Sequence, residues 1–386
     1  MTEHVLEGGL ALVPGEAAPV AASVRLLDDR IAAIGDIASS PGVRRFDAAG
    51  LMVLPGIVDI HGDAFERQLL PRPGVGIDPT VAFLDTDRQL LAAGITTAFH
   101  GVTWSWEPGL RGRESVVAVV DALERLRPRF GCDTRIHLRF ESFNLDAVEE
   151  AADWIAGGRV DLLAFNNHLP GLRSARMSAA KIATYVQKAG VTHEHYLAVM
   201  EGLWERREEV PAAHGRLAAA ARAAGVALLS HDDRDPVERE SFRALGCRIA
   251  EFPTTAETAR AARDAGDAVV LGAPNVLRGG SHAGLVPAQP MVAERACRIL
   301  ASDYYYPSLL QAAFKLAHDG VVPFAEAWGL ISTNPAEAAG LRDRGRLEPG
   351  ARADIIAVAP DPVPHVVAVF VGGRLVHLSE GDRLVS

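Results

Sequence analysis

The sequence predicts an α/β fold: a (β/α)₈ barrel of the TIM type that carries a small β-sandwich formed by both chain termini. Three observations lead to this prediction. Both ends of the chain read as short strands separated by turn residues, whereas the middle alternates apolar runs with longer stretches of helical period. Eight strand-and-helix units follow one another, which is the number that closes a parallel sheet into a barrel.

The two chain ends are assigned to the sandwich. We place its limits at residues 1–55 and 345–386, and those of the barrel at 56–344. Within both ends, alternating β-branched residues are separated by Gly and Asp, which is typical of short strands joined by turns. The segments with this pattern are HVLEGGLALV, SVRLLDDRIAAIG, GRLEPGARADIIAV and VVAVFVGGRLVHL.

The middle of the chain supplies the barrel strands. Between the short apolar runs lie Ala-, Leu-, Arg- and Glu-rich stretches of helical period, such as SVVAVVDALERLRPRF. Alternating strands and helices favour a parallel sheet. In chain order, the predicted strands are GIVDIHGD, GITTAFHG, RIHLRFE, VDLLAFNNH, GVALLSHDD, CRIAEFP, AVVLGAPN and RILASDYY.

Composition and charge exclude several classes of function. The 386-residue chain has a formal net charge of −10, which argues against a broad surface for nucleic acid or anionic membrane. Its three cysteines lack metal-type spacing, so neither a disulfide framework nor a thiolate metal site is predicted. The N-terminus does not resemble a signal peptide, and no apolar run approaches the roughly 18 residues that span a bilayer. We therefore expect a cytoplasmic protein and leave open whether it forms a homo-oligomer.

Polar residues gather at the C-terminal ends of the predicted strands, where barrel enzymes build their active sites. These candidate metal ligands are His61, Asp63, Glu141, His168, His231 and Asp303. Residues two apart in a strand point the same way, so His61 and Asp63 could reach one ion, and Glu141 would share the inner face with His137 and Arg139. Imidazoles and carboxylates converging on one rim are the ligands that Zn²⁺ requires.

Each candidate also has a plainer explanation, because a single histidine at a strand end is more often a hydrogen-bonding loop residue than a ligand. The joint placement of six such residues favours the metal site. His100, at the end of the second strand, is left open between a role near the substrate and a structural one. His193 and His195 form another H-x-H pattern, but Thr192 predicts that they open a solvated helix.

Two loops are candidates for binding an anionic substrate. The segment LGAPNVLRGGSHAG follows the seventh strand, where barrel loops often bind phosphate. Its backbone amides could approach phosphate oxygens closely because glycine has no side chain. The candidates there are Arg278, Gly279, Gly280, Ser281 and His282. Arg72, between two prolines in PRPGVG, could aim a guanidinium at the substrate or form a local salt bridge, and these two interpretations are left equal.

These motifs together resemble the amidohydrolase superfamily. The resemblance rests on PGIVDIHGD, a histidine after each of two mid-barrel strands, ASD at the last strand, and STNPAEAAGL followed by GRLEPGARADIIAV. More narrowly, HGDAFERQLLPRPGVG, HLRFE, SHDD, EFPTT, LGAPNVLRGGSHAG and LASDYYYPSLL resemble the diphosphatase family of the phosphonate carbon–phosphorus lyase pathway.

The resemblance implies a function. It implies that one or two divalent ions, expected to be Zn²⁺, are held by the six candidate ligands, with Glu141 where relatives often have a carboxylated lysine that bridges two metals. It implies hydrolysis of a small anionic substrate, ribose 1-methylphosphonate 5-triphosphate, to the 5-phosphate and pyrophosphate by a metal-activated water. Asp303 is the expected catalytic residue, which would accept the proton of that water.

This chain departs from the narrower family at a few positions. The family usually carries Thr, Asn and Lys in the stretch where this chain has Gly62, Ala64 and Arg67, and FNNHLPGLRSAR, with Leu169 after the histidine, also differs. Two other functions therefore stay open. The same centre could hydrolyse a cyclic amide, an N-acyl group or an amino-heterocycle, or the chain could be a non-catalytic barrel that only binds a ligand.

Overall fold

Nineteen strands in the described part of the chain form three sheets. The protein is seen in a computed structural model that describes residues 2–37, 43–72, 74–173, 182, 186, 189–281 and 284–385. The strands are β1 Glu3–Glu7, β2 Leu10–Ala11, β3 Val20–Ala21, β4 Ser23–Leu27, β5 Arg30–Gly35, β6 Arg44–Asp47, β7 Met52–Pro55, β8 Ile57–Gly62, β9 Ile95–Trp104, β10 Asp133–Glu141, β11 Leu162–Asn166, β12 Ala227–His231, β13 Ile249–Glu251, β14 Ala268–Gly272, β15 Ile299–Ala301, β16 Ile355–Ala359, β17 His365–Val371, β18 Arg374–Leu378 and β19 Leu384–Val385.

Helices separate the barrel strands. The α-helices of the described residues are α1 Glu66–Leu69, α2 Pro79–Ala92, α3 Arg113–Leu126, α4 Val148–Ala156, α5 Leu169–Arg173, α6 His193–Glu205, α7 Val210–Ala224, α8 Pro236–Ala244, α9 Ala256–Asp264, α10 Ala273–Arg278, α11 Ala288–Ala293, α12 Ser308–His318, α13 Phe324–Gly329 and α14 Thr333–Ala338. Short 3₁₀ turns lie at Arg127–Arg129, Leu145–Ala147, Arg207–Glu209 and Gly381–Arg383. In the part of the chain that is described, no helix combines the length and apolar character needed to cross a membrane.

Helix boundaries follow local capping chemistry. The Asp78 carboxylate accepts a hydrogen bond from the amide of Thr80 at 2.8 Å, and Pro79 takes the first position of α2, where its missing N–H costs nothing. Thr192 caps α6 by accepting a hydrogen bond from the amide of His195 at 3.2 Å. The prediction that His193 and His195 begin a helix is therefore confirmed.

Strands β8 to β15 form a parallel sheet in chain order, and each predicted barrel segment overlaps one of them. The sheet closes at its C-terminal rim through two backbone hydrogen bonds. The amide of Asp303 donates to the carbonyl of His61 at 3.0 Å, and the amide of Asp63 donates to the carbonyl of Asp303 at 3.0 Å. The bonds that close the barrel thus join the first and last candidate ligands.

Side chains alternate between the two faces of the barrel wall. Leu162 and Ala164 belong to an inner apolar cluster with residues of other barrel strands, such as Leu229, whereas Leu163 and Phe165 pack outward against the helices. Because successive residues of a strand face opposite sides, polar residues in phase with the inner cluster face the barrel interior. The strand period therefore directs their side chains to one mouth.

The chain ends form the predicted sandwich. One sheet has the order β19-β6-β1-β4-β5 and the other the order β18-β17-β16-β7-β2-β3, so residues from both termini occur in each. Leu6 and Phe46 of the first sheet share a buried cluster with Val53, Ile355 and Phe370 of the second. The exact domain limits at residues 55 and 345 stay a prediction.

The sandwich also packs onto the barrel. Leu54, Ile356 and Val369 of the second sheet belong to the same buried cluster as Leu91 and Trp328 of the barrel helices and loops. The indole N–H of Trp328 donates to the carbonyl of Pro55 at 3.1 Å. This shared core holds β7 in place directly before β8, the strand that carries the candidate ligand His61.

Candidate active site

Three groups of histidine and carboxylate side chains meet at the C-terminal mouth of the barrel. Within each group, one potential ligand atom per residue lies within 4.8 Å of the others. The groups are His61, Asp63 and Asp303; His168, His231 and Asp232; and His61, His231 and Glu251. Five of the six predicted ligands therefore occur in these groups. The groups also contain two residues that the sequence analysis did not single out, Asp232 and Glu251.

Glu141, the sixth predicted ligand, reaches the second group through an ion pair. Its Oε1 lies 2.5 Å from Nδ1 of His168, and Nε2 of His168 lies 3.4 Å from the carboxylate of Asp232. The charge of Glu141 is the largest cause that raises the pKa of His168, to about 10. A cation could take the place of the imidazole proton in this anionic environment.

His61 is oriented by a buried carboxylate. Its Nδ1 lies 2.9 Å from Oε1 of Glu251, and both side chains are at most 1% exposed. Burial, followed by the charge of Arg139, lowers the pKa of His61 well below its ordinary value, so the imidazole is neutral near neutral pH. If Nδ1–H donates to Glu251, the lone pair of Nε2 is available to a cation, as in carboxylate–histidine–metal arrangements.

Arg139 links the first two groups. One of its terminal nitrogens lies 3.3 Å from Oδ2 of Asp63, and the other lies 3.0 Å from Nε2 of His231. Because a guanidinium only donates hydrogen bonds, Nε2 of His231 must accept here. The side chain of Arg139 is 6% exposed, so its charge needs these partners.

Asp303 combines burial with backbone strain. Burial is the largest cause that raises its pKa to about 7, and repulsion by Asp63 adds to it. Its φ is 55°, and the residues that follow β12 and β13, Asp232 and Phe252, have φ values of 60° and 51°. Non-glycine residues rarely adopt this conformation, and such strain clusters at functional sites.

The donor set fits a divalent cation. It mixes neutral imidazole with carboxylates, which are ligands that zinc accepts. Nε2 of His137 and Oε2 of Glu251 are also buried, and neither has a hydrogen-bond partner among the residues that the structure describes. The 1-His, 2-carboxylate group around His61 and the His168–His231 group could each contribute to holding an ion.

A cavity of about 300 Å³ opens above these groups. His61, Arg139 and Asp303 line it, together with Arg278 at the end of α10 and with Gly280 and Ser281 in the loop that follows. Gly279 lies beside this cavity, at the left-handed end of α10 with φ 73°, and lines a neighbouring pocket. His282 lies outside the described residues.

Two other sequence candidates lie away from this cavity. Arg72 is exposed and lines a separate cavity of about 710 Å³ beside α3, so the structure does not bring it to the histidine and carboxylate groups. His100 is buried between the rings of Phe65 and Phe83, with centroid distances of 5.4 and 5.3 Å. Since its neighbours Val102 and Trp104 face outward, His100 belongs to the structural core.

The residues that the sequence missed carry weak signals. Glu251 ends the sixth strand in phase with the inward residue Ile249, and Asp232 directly follows His231. Asn166 ends the fourth strand in phase with Ala164. For Glu251 and Asn166, the available signal was a polar residue two positions after an inward-facing apolar residue of the same strand.

The closed barrel and its rim of imidazoles and carboxylates define a class: (β/α)₈ proteins with a cation-binding site at the C-terminal ends of their strands. The model of the amidohydrolase family matches residues 174–378. This chain belongs to the amidohydrolase family, a family of hydrolases, as its motifs indicated.

Particular relatives differ in their chemistry. The chain is 33% identical over 344 residues to alpha-D-ribose 1-methylphosphonate 5-triphosphate diphosphatase of Escherichia coli (strain K12), which covers 86% of this chain and 89% of that protein. It is 26% identical over 383 residues to an adenine deaminase of Methylobacterium nodulans, covering 95% of this chain and 57% of the deaminase. The dihydropyrimidinase of Brevibacillus agri has the same fold, with a TM-score of 0.66 at 13% identity over 98% of this chain and 95% of that one.

Proposed function

We propose that this protein is a metal-dependent diphosphatase that hydrolyses ribose 1-methylphosphonate 5-triphosphate to the 5-phosphate and pyrophosphate. The observation that carries the proposal is the composition of one cavity, where Arg139 and Arg278 lie with the His61 and Asp303 side chains. Guanidinium groups match the geometry and charge of phosphate. The named activity of the Escherichia coli relative, which aligns over 86% of this chain, supports the same substrate class.

The proposed metal centre uses the six strand-end residues. His61, Asp63 and Asp303 would hold one divalent ion, and Glu141, His168 and His231 would hold a second, with Zn²⁺ as the expected metal. Such an ion would act as a Lewis acid that makes water more acidic and polarises the phosphoryl group. Glu251 would keep Nε2 of His61 directed at its ligand through the contact with Nδ1.

Asp303 would orient the attacking water and accept its proton. Its pKa of about 7 suits a group that takes up a proton near neutral pH. The water oxygen bonds to phosphorus while the bond to the leaving oxygen breaks, and attack at the α- or the β-phosphorus yields the same products. Arg139, Arg278 and the backbone from Gly279 to Ser281 would stabilise the negative charge that develops.

The test is Asp303→Asn, assayed for pyrophosphate release. We expect the variant to keep its metal in elemental analysis and to lose at least about a hundredfold in rate, because it removes the proton acceptor. Asp319→Asn, which changes a surface carboxylate paired with Lys315, is the matched control and should retain full activity. Full activity in Asp303→Asn would refute the proposal.

A second candidate is hydrolysis of an amide or amino-heterocycle by the same centre. It is favoured by the adenine deaminase relative, which aligns over 95% of this chain. Measuring pyrophosphate release against ammonia release over one substrate panel separates the two reactions. A protein that holds no metal and turns over neither substrate class would instead be a non-catalytic barrel.

The remaining expectations concern partners and location. We propose a small anionic phosphorylated ligand as the principal partner. The net charge of −10 and the cysteine pattern predict that the chain binds neither nucleic acid nor membrane and that it works in the cytoplasm. These expectations stay predictions. Its oligomeric state stays open.

A further inference from the structure

Asn166 lies between two of the candidate metal ligands. It is the last residue of β11, and its neighbours across the sheet are Glu141 on β10 and His231 on β12. Leu162 and Ala164, four and two residues earlier, belong to the inner cluster of the barrel. The period of the strand therefore places the Asn166 side chain on the same inner face, at the level of the site.

The side-chain amide of Asn166 is buried and unpaired. The residue is 0% exposed, and neither Oδ1 nor Nδ2 has a hydrogen-bond partner among the described residues. Its main-chain carbonyl is engaged, because it accepts from the amide and the hydroxyl of Ser142 at 2.8 and 2.7 Å. A buried amide without partners destabilises a folded protein, so the fold alone gives no reason for an asparagine here.

A second asparagine near the site shows the contrast. Nδ2 of Asn275 donates to the carbonyl of Val286 at 2.9 Å, and its Oδ1 accepts from the amide of Ala288 at 3.0 Å. Both polar atoms of Asn275 are thus used to hold the loop after β14. Asn166 carries the same two atoms on the inner face of the barrel, between Glu141 and His231, without a partner among the described residues.

We infer that Asn166 is a further catalytic residue, whose Nδ2–H donates a hydrogen bond to a phosphoryl oxygen of the substrate at the metal centre. The inference rests on the proposed diphosphatase function. A neutral donor suits this position because Glu141 already places a negative charge beside it, and an anionic oxygen accepts strongly from an amide N–H. Such a contact supplies the partner that the protein itself does not.

The experiment compares Asn166→Leu and Asn166→Val with Asn275→Leu. Leucine has the same branched shape as asparagine. Valine is smaller, so it is included in case leucine overpacks the site. For each protein we would measure the melting temperature, the metal content, and the affinity for pyrophosphate by calorimetry, with the metal content measured again after the titration.

Removal of an unpaired amide should leave a fold that is at least as stable. We expect one or both Asn166 variants to melt up to about three degrees above the wild type, to keep the wild-type metal content, and to bind pyrophosphate at least about tenfold more weakly. Asn275→Leu should melt below the wild type, because it removes two hydrogen bonds.

Four results would overturn the inference. Lower melting temperatures with unchanged pyrophosphate affinity would assign Asn166 a structural role, and loss of metal would make it a ligand. Wild-type affinity in both Asn166 variants, while the wild type itself binds pyrophosphate, removes this inference alone. A metal-loaded wild type that neither binds pyrophosphate nor hydrolyses the triphosphate removes the proposed function as well.

Discussion

At the scale of single residues, Gly62 lies where the structure leaves no room for a side chain. A Cβ at this position would lie 2.8 Å from Oδ2 of Asp59, 2.9 Å from Oγ of Ser302 and 3.0 Å from the ring of Tyr306. The Asp59 carboxylate accepts from the hydroxyl and the amide of Ser302 at 2.5 and 3.1 Å, and so ties β8 to the end of β15. The glycine is therefore a packing requirement of this chain.

Gly62→Ala should destabilise the protein by about 1–3 kcal/mol, because the added methyl group must displace the Asp59–Ser302 pair. The measurement is the free energy of unfolding from a urea titration. Gly76→Ala is the matched control, since an added Cβ there meets no atom within 4 Å. Equal stability of the two variants would show that the junction between β8 and β15 is not tightly packed.

At the scale of elements, the turn after β12 is held by the helix that follows it. Arg239 of α8 is 2% exposed and pairs with the buried carboxylates of Asp233 at 3.1 Å and Asp267 at 3.4 Å. It also donates to the hydroxyl of Ser230 and, at 2.5 Å, to the carbonyl of Cys247. The strained residue Asp232 and the candidate ligand His231 lie between these anchored positions.

Arg239→Met should lower the free energy of unfolding by about 3–5 kcal/mol, because it leaves the buried carboxylate of Asp233 without the cation that it pairs with and removes one of the cations around Asp267. In a thermal melt we expect a large fall in midpoint, together with reduced metal content, since the turn that carries His231 loosens. Arg216→Met removes the exposed pair with Glu149 and should change stability by less than about 1 kcal/mol. Similar effects of the two substitutions would contradict this role of Arg239.

At the scale of the whole molecule, barrel and sandwich share one buried cluster, so we expect them to unfold together. Protonation of buried histidines then acts on this common unfolding step. His214 is 7% exposed, packs against the rings of Phe165 and Phe242, and contacts the hydroxyl of Ser142 through Nε2 at 2.8 Å. Burial lowers the pKa of His214 to about 4 from an ordinary value of 6.5.

Because the pKa of His214 is lower in the folded protein, the unfolded chain binds the proton first as the pH falls. The stability that neutral His214 contributes is present above about pH 6.5 and is lost as the pH falls toward about 4. The variant His214→Gln keeps a hydrogen-bond donor for Ser142. Over this pH range its free energy of unfolding should therefore fall by about 2 kcal/mol less than that of the wild type. Urea titrations at several pH values test this, with the exposed His193→Gln as control; parallel curves for wild type and His214→Gln would refute it.

The sequence by itself determined the eight strands, the sandwich from both ends and five of the residues in the three donor groups. It could do so because the period of apolar residues sets which face of a strand is buried, and because the ends of parallel strands meet at one rim. His61 and Asp303, which are separated by nearly the whole barrel in sequence, are brought together by this rule alone. The family followed from the same residues, since its motifs lie at these strand ends.

Only the tertiary structure decided which polar groups find a partner. The Glu251 side chain contacts His61, whereas the side-chain amide of the equally inward Asn166 has no partner among the described residues. The strand period predicts neither outcome. Arg72 lines a separate cavity because the path of a long loop depends on what it packs against, which local sequence does not encode. Side-chain contacts across strands arise from distances between segments remote in sequence, and those distances exist only once the barrel has closed.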